Sequence, residues 1–337
     1  MKKRKSIILT SAVCICVLLL IVGAVAVKKI FFDTGDLTFT PESDIGVNYN
    51  NYVGGNNTLD YRYGKFAWCN GNTLTVVDDS GAVSERWWGN YSFQLYKDGI
   101  VYLRFSELIV TDENNESHTV AENVTAFMVL DDSILYLSEN DDYDCLYSFD
   151  PETNSYTKLI EADFVISFCA SDDRVYVLSE SATSNETLTV FDNGVIIDNR
   201  EFNVSVYPFY LMASGETLAY ITQEDGSVLA LYDLDTKETV IIRMSDRTAV
   251  DDVVCVLNNE FAFVSYRALN YNGSLISTAE CESNGLWMID LSTMQKEKIS
   301  DETFYQLYLY GDDFLVGVNS KGVFRISKDG SLTELIE

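Results

Sequence analysis

Residues 131–160 read DDSILYLSENDDYDCLYSFDPETNSYTKLI. A tight turn opens a strand, SILYL (133–137). A polar loop, SENDDYD (138–144), leads into a second strand, LYSFD (146–150), and its closing Asp begins the turn PETN before a more polar strand. Asp, Asn and Gly supply the backbone freedom such turns need, and alternating apolar residues suit a half-buried strand.

The same order of signals recurs from residue 57 to the C-terminus. The third strand of each unit ends on an apolar phrase: LTVVD (74–78), LIVTD (108–112), LYSFD (146–150), LTVFD (188–192), LALYD (229–233), LWMID (286–290) and VFRIS (323–327). Upstream of each lies a second strand: KFAWC (65–69), GIVYL (99–103), SILYL (133–137), RVYVL (174–178), TLAYI (217–221), EFAFV (260–264) and DFLVG (313–317). Apolar first strands precede these, for example AFMVL (126–130) and FVISF (164–168). One such unit cannot bury both its faces, whereas a closed ring of units can. The pattern predicts an all-β chain, a β-propeller of seven four-stranded blades over residues 57–337; six or eight blades follow if one unit is misread. The phrase-final Asp residues are expected to accept backbone N–H bonds in the turns they begin, not to act as acids or ligands.

Composition sets the surface. The chain has 52 acidic and 23 basic side chains, and six of the basic ones lie at or before Lys29. A surface so acidic repels phosphate backbones, which argues against nucleic acid as a partner.

The N-terminus has a different character. Residues 1–5 carry four basic side chains, and residues 6–27 are almost wholly apolar. A run of roughly 21 residues at a rise of about 1.5 Å covers about 30 Å, the hydrocarbon thickness of a bilayer. The expected order is a cytoplasmic tail (1–5), a transmembrane anchor (6–27), a stalk (28–56) and an extracellular propeller (57–337), oriented by the basic tail. Ala24-Val25-Ala26 offers the alternative of a cleaved signal. Leu37-Thr38-Phe39-Thr40 alternates and is the alternative to a plain stalk, as one extra strand.

SDDRVYVLSES (171–181) and ASGETLAYITQEDGSVLALYDLDTKET (213–239) resemble the repeats of TolB-like and YVTN-type bacterial propellers. With its single anchor, the whole is similar to membrane-anchored propeller proteins of Gram-positive bacteria. The resemblance implies a place on the outer face of the cell membrane.

In a propeller the loops joining strands two and three share a face with the connections between blades. Three of these loops are predicted to be long: 138–144, 179–187 and 265–284. Long loops in compact domains lean towards function. The candidate ligand-binding residues are therefore Asp141, Asp142, Tyr266, Arg267 and Tyr271. Clustered carboxylates at 139–144 also raise Ca²⁺, but no Gly stands at the sixth position of an EF-hand loop and no Glu closes one, so a solvated acidic loop is the alternative. The only histidine, His118, cannot by itself build a His-based zinc site. No phosphate loop, dinucleotide fingerprint or nucleophile elbow is present, so no cofactor is expected. Of the five cysteines beyond the anchor, Cys145 and Cys281 are candidates for one bridge.

The leading expectation is a monomeric binding module for a protein, peptide or glycan. An extracellular hydrolase or lyase using acidic residues at the channel mouth, and a sensory ectodomain working through a partner membrane protein, are the alternatives.

Overall fold

The computed structural model describes residues 59–336 except for short stretches, of which 244–250 and 269–280 are the longest. Among these residues no helix is long and apolar enough to cross a membrane. The expected tail, anchor and stalk lie outside them, as do Asp141 and Tyr271.

The described strands form seven antiparallel four-stranded sheets, each made from consecutive strands. Blade 1 holds β1 (Leu59–Arg62), β2 (Lys65–Asn70), β3 (Thr73–Val77) and β4 (Val83–Trp87). Blade 2 holds β5 (Phe93–Tyr96), β6 (Gly99–Arg104), β7 (Glu107–Thr111) and β8 (Ser117–Ala121). Blade 3 holds β9 (Val124–Val129), β10 (Ile134–Glu139), β11 (Asp144–Asp150) and β12 (Ser155–Ala162). Blade 4 holds β13 (Phe164–Ser171), β14 (Arg174–Ser181), β15 (Ser184–Asp192) and β16 (Val195–Glu201). Blade 5 holds β17 (Val206–Ser214), β18 (Thr217–Thr222), β19 (Val228–Asp233) and β20 (Thr239–Ile242). Blade 6 holds β21 (Asp251–Leu257), β22 (Phe261–Ala268), β23 (Gly285–Asp290) and β24 (Lys296–Ser300). Blade 7 holds β25 (Gln306–Tyr310), β26 (Phe314–Asn319), β27 (Gly322–Ser327) and β28 (Leu332–Ile336). The expected architecture and the count of seven both hold.

The core lies between blades. One apolar cluster joins Leu74, Trp88 and Phe93 of blades 1 and 2, and another joins Val101, Phe127 and Phe149 of blades 2 and 3. Leu146, Tyr176 and Tyr220 belong to a cluster running through blades 3, 4 and 5. Further clusters bridge blades 5 and 6 and blades 6 and 7. Strands two and three are apolar on both faces because each face meets a neighbouring blade.

Polar side chains stitch the same seams. The Leu95 N–H donates to Asp60 Oδ2 at 2.7 Å, and the Val129 N–H to Gln94 Oε1 at 2.6 Å. Further round the ring, the Val165 N–H donates to Asp144 Oδ2 at 2.8 Å and the Phe304 N–H to Ser265 Oγ at 2.7 Å. Each bond gives a buried backbone donor an acceptor from the preceding blade, and an unmatched donor there would be costly. No described sheet combines strands from the two ends of the chain. The seam between blades 7 and 1 carries instead the Tyr308 hydroxyl, which donates to the Leu59 carbonyl at 2.8 Å.

Four of the phrase-final Asp residues, Asp112, Asp150, Asp233 and Asp290, accept turn N–H groups as expected; Asp78 lies outside the described residues. Asp150 accepts from the Thr153 hydroxyl and from the N–H groups of Glu152 and Thr153. Asp290 accepts from the Ser292 hydroxyl and the N–H groups of Ser292 and Thr293, and Asp233 from the Thr236 N–H. These bonds hold the carboxyls of Asp150, Asp233 and Asp290 below the usual carboxylate range. Four residues after each of these Asp, the chain turns through positive φ, at Asn154, Lys237 and Met294. In the last blade Asp329 takes the role for Ser331.

The proposed Cys145–Cys281 bridge is not formed: both thiols are free and buried. They belong to different blades, Cys145 on β11 of blade 3 and Cys281 before β23 in the blade 5–6 core.

Candidate functional site

All four strands of a blade alternate in direction, so the loops after strand two and the connections between blades emerge on one face. Two of the three loops expected to be long there are shorter than the sequence suggests. In blade 4 the strands continue to Ser181 and resume at Ser184, leaving a tight hairpin. In blade 6, β22 runs on through Ala268, and Tyr266 and Arg267 pair with Val253 and Asp252 of β21. Tyr266 is 1% exposed, packed in the core between blades 5 and 6, so its ring is turned away from any ligand on the surface. Arg267 is half-buried near the end of the same strand. Asp142 lies exposed in the loop between β10 and β11, beside a cleft between blades 3 and 4.

The larger cleft, about 720 Å³, lies elsewhere on the ring, between blades 1 and 2. Its volume falls within the range of small-ligand and peptide pockets. Trp87, Trp88, Gly89 and Tyr91, where the chain passes from β4 to β5, build the cleft's end on the long-loop face. Trp88 is buried and makes edge contacts with Tyr91, Phe93 and Tyr102, at ring separations of 6.1, 5.9 and 4.8 Å. Its indole N–H donates to the Tyr91 carbonyl at 2.9 Å, which fixes the turn between them. Gly89 permits that turn, because a Cβ there would run into the Tyr91 ring.

Tyr91 stacks on Tyr102 and meets Phe105 edge-on at 6.1 Å. Phe105 stands at the tip of the β6–β7 hairpin, where Phe105 and Ser106 both take positive φ. That two-residue turn matches the strand twist but usually selects Asn or Gly. Here it holds a phenyl ring 87% exposed, and Trp87, at the end of β4, is 74% exposed. Trp87 lines the cleft and Phe105 meets the cleft residue Tyr91, so exposed aromatic surface stands at the cleft mouth.

The cleft also carries positive charge. The Arg86 guanidinium lies 5.1 Å from the Trp88 ring centre, and burial pulls its pKa down. Arg104, which pairs with Glu107 at 2.8 Å, lines the same cleft. Glu85 and Asp112 line it as well, so the cleft brings both signs of charge beside stacked aromatics. Such a surface recognises planar and apolar groups together with carboxylates.

Sequence reasoning passed over this cleft because it weighed loop length, and these connections are short. The usable signal was the tandem Trp87-Trp88 in a chain with four tryptophans, followed by Gly89 and an aromatic hairpin tip.

Among the described residues no three His, Cys, Asp or Glu side chains converge as a metal site requires. His118 is exposed on β8, an outer strand.

No protein-family model matches the chain, and no curated protein does. Solved structures do. The β-propeller domain of the Trilobed protease from Pyrococcus furiosus, whose topology is called open velcro, matches with a TM-score of 0.56 at 14% identity, over 87% of this chain and 98% of that one. Pyrococcus horikoshii acylaminoacyl peptidase matches with a TM-score of 0.56 at 13% identity, over 91% of this chain and 54% of that one. A puromycin hydrolase mutant complexed with PGG gives 0.56 at 10% identity, over 88% and 54%. The chain spans about half the length of these two hydrolases. At such identities the likeness is one of fold, that of a β-propeller domain.

Proposed function

We propose that the protein is a non-catalytic binding module, held at the outer face of a bacterial cell membrane by residues 6–27, and that its blade 1–2 cleft receives an extended segment of a partner protein. The observation that carries this reading is the exposure of Trp87 and Phe105 beside the ordered Trp88–Tyr91–Tyr102 stack. Aromatic side chains supply contact area at small entropic cost, and such residues dominate the energetics of protein interfaces. The apolar N-terminal run and its basic flank support the anchor, and the acidic composition supports a solvated outer domain.

The test is capture from crosslinked cell envelope with the full chain and with a Trp87→Ala, Phe105→Ala double variant. Both side chains are exposed, so the variant keeps its fold. A partner recovered by the wild type and lost by the variant supports the reading. Equal recovery assigns binding to another surface, and deletion of 270–279 then tests the blade 6 connection between β22 and β23 without touching Ala268 or Cys281.

A further inference from the structure

A second cleft, of about 380 Å³, lies between blades 3 and 4 on the long-loop face. Asp142, Asp163 and Glu180 line it with carboxylates, and Tyr143, 40% exposed, adds a ring. Deeper in, the wall is hydroxylic. Ser179 on β14 pairs across the sheet with Thr187 on β15, and Thr189 pairs with Asn199 on β16, so one face of blade 4 presents a polar strip to the cleft. Ser179 is 6% and Thr189 2% exposed, and neither hydroxyl has a hydrogen-bond partner among the described residues. Hydroxyls that open on a cleft without a protein partner are left to bond whatever enters it.

We propose that this cleft binds the ammonium or guanidinium head of a basic peptide side chain. Three features support this ligand class. The carboxylates lie on separate elements, the β10–β11 loop, the turn after β12 and the end of β14, and no three of them converge on a single ion. That spread suits a cation whose charge is carried by several N–H donors. Tyr143 offers the ring face that an alkylammonium or guanidinium attracts. The paired hydroxyl positions offer acceptors to the same donors at depth. Charge argues for a basic partner as well, since acidic side chains outnumber basic ones 52 to 23. Glu161 also borders the cleft but is already paired with Lys158 at 2.6 Å, so it is left out of the recognition set. This site is separate from the blade 1–2 cleft and does not depend on it.

The experiment is titration calorimetry on the full chain with a capped Gly-Lys-Gly-Arg-Gly peptide. A counterpart with acetyl-lysine and citrulline, free spermidine and calcium chloride form the other arms. The charged peptide binds and the neutral one does not. An Asp142→Asn, Glu180→Gln double variant weakens binding about tenfold, and Thr189→Val weakens it about threefold. Both carboxylates of the double variant are exposed, so it keeps its fold if the Thr189 variant does not. A remote pair removing the same charge, Glu297→Gln with Glu334→Gln on blades 6 and 7, leaves affinity unchanged. Equal binding of the neutral peptide, an equal loss in the remote pair, or binding of spermidine or calcium with no binding of the peptide overturns the proposal.

Discussion

Replacing Tyr308 by Phe removes one oxygen from the seam between the last blade and the first. The side chain is 4% exposed, and burial, with the Asp60 charge beside it, pushes the phenol well above its usual pKa. It is therefore a neutral donor, and its bond to the Leu59 carbonyl is 2.8 Å long. Losing a bond of this kind and stranding its buried acceptor costs about 1–3 kcal/mol. In a domain of this size each kcal/mol lowers Tm by about 2–4 °C. The more telling effect is local. With no shared sheet across this seam, the lost energy comes off the opening of blades 1 and 7 before it comes off global unfolding. A cost of about 1.4 kcal/mol speeds hydrogen exchange in that sub-global opening about tenfold. Exchange mass spectrometry should find the increase in β1 and β25 and unchanged protection in blades 3 to 5. The comparison is Tyr176→Phe in the seam between blades 4 and 5, whose hydroxyl lies 3.5 Å from the Gly215 carbonyl, at the weak limit of a hydrogen bond. That variant should cost less and leave β1 and β25 protected. Unchanged exchange at β1 and β25 in Tyr308→Phe would refute the view that this contact holds the ring shut.

Other expectations are simpler to check. Leu146 is wholly buried in the blade 3–5 cluster, so Leu146→Ala should cost about 2–5 kcal/mol in urea unfolding. Gly317→Ala should cost about 1–3 kcal/mol, because its Cβ would sit 2.5 Å from the Phe304 ring and 2.7 Å from Ile326 Cδ1. Asp150 is held below its usual pKa by the Thr153 hydroxyl, so its contribution is complete above the unfolded value near 3.9 and is lost as pH falls through the lower folded value. The Tm gap between wild type and Asp150→Asn should therefore be constant near neutral pH and close in acid. Thiol labelling in denaturant should find Cys145 and Cys281 both reduced, without any prior reductant.

The blades were legible because each is local in sequence. SILYL and LYSFD lie within about 20 residues of each other, and turn chemistry plus apolar alternation suffices to pair them. Asp150 was legible for the same reason, since its partners are Glu152 and Thr153. The seams were not. Asp60 and Gln94 each meet a backbone donor 35 residues away, and nothing in their own neighbourhood distinguishes them from surface polar residues. Tyr266 was misplaced because a strand's end is poorly marked: SYRA continues β22 in alternation, while polarity alone reads it as loop. The blade 1–2 cleft escaped notice because Arg86, Trp88, Tyr102 and Phe105 come together only once two blades stand side by side.

Building every described sheet from one uninterrupted length of chain has a consequence for synthesis. Blade 1 has all its described sheet partners once residue 87 has emerged, and the sheet of each later blade is complete as its own fourth strand appears. Folding can therefore advance from the N-terminus in steps of one blade, with no strand waiting for a distant mate. A truncated product lacking β25–β28 would keep six intact blades yet leave the faces of blades 6 and 1 unpaired, Leu286 and Val256 among them. Every earlier intermediate leaves one such face open at each end, so the sticky surface offered to chaperones and proteases persists until the last blade is in place.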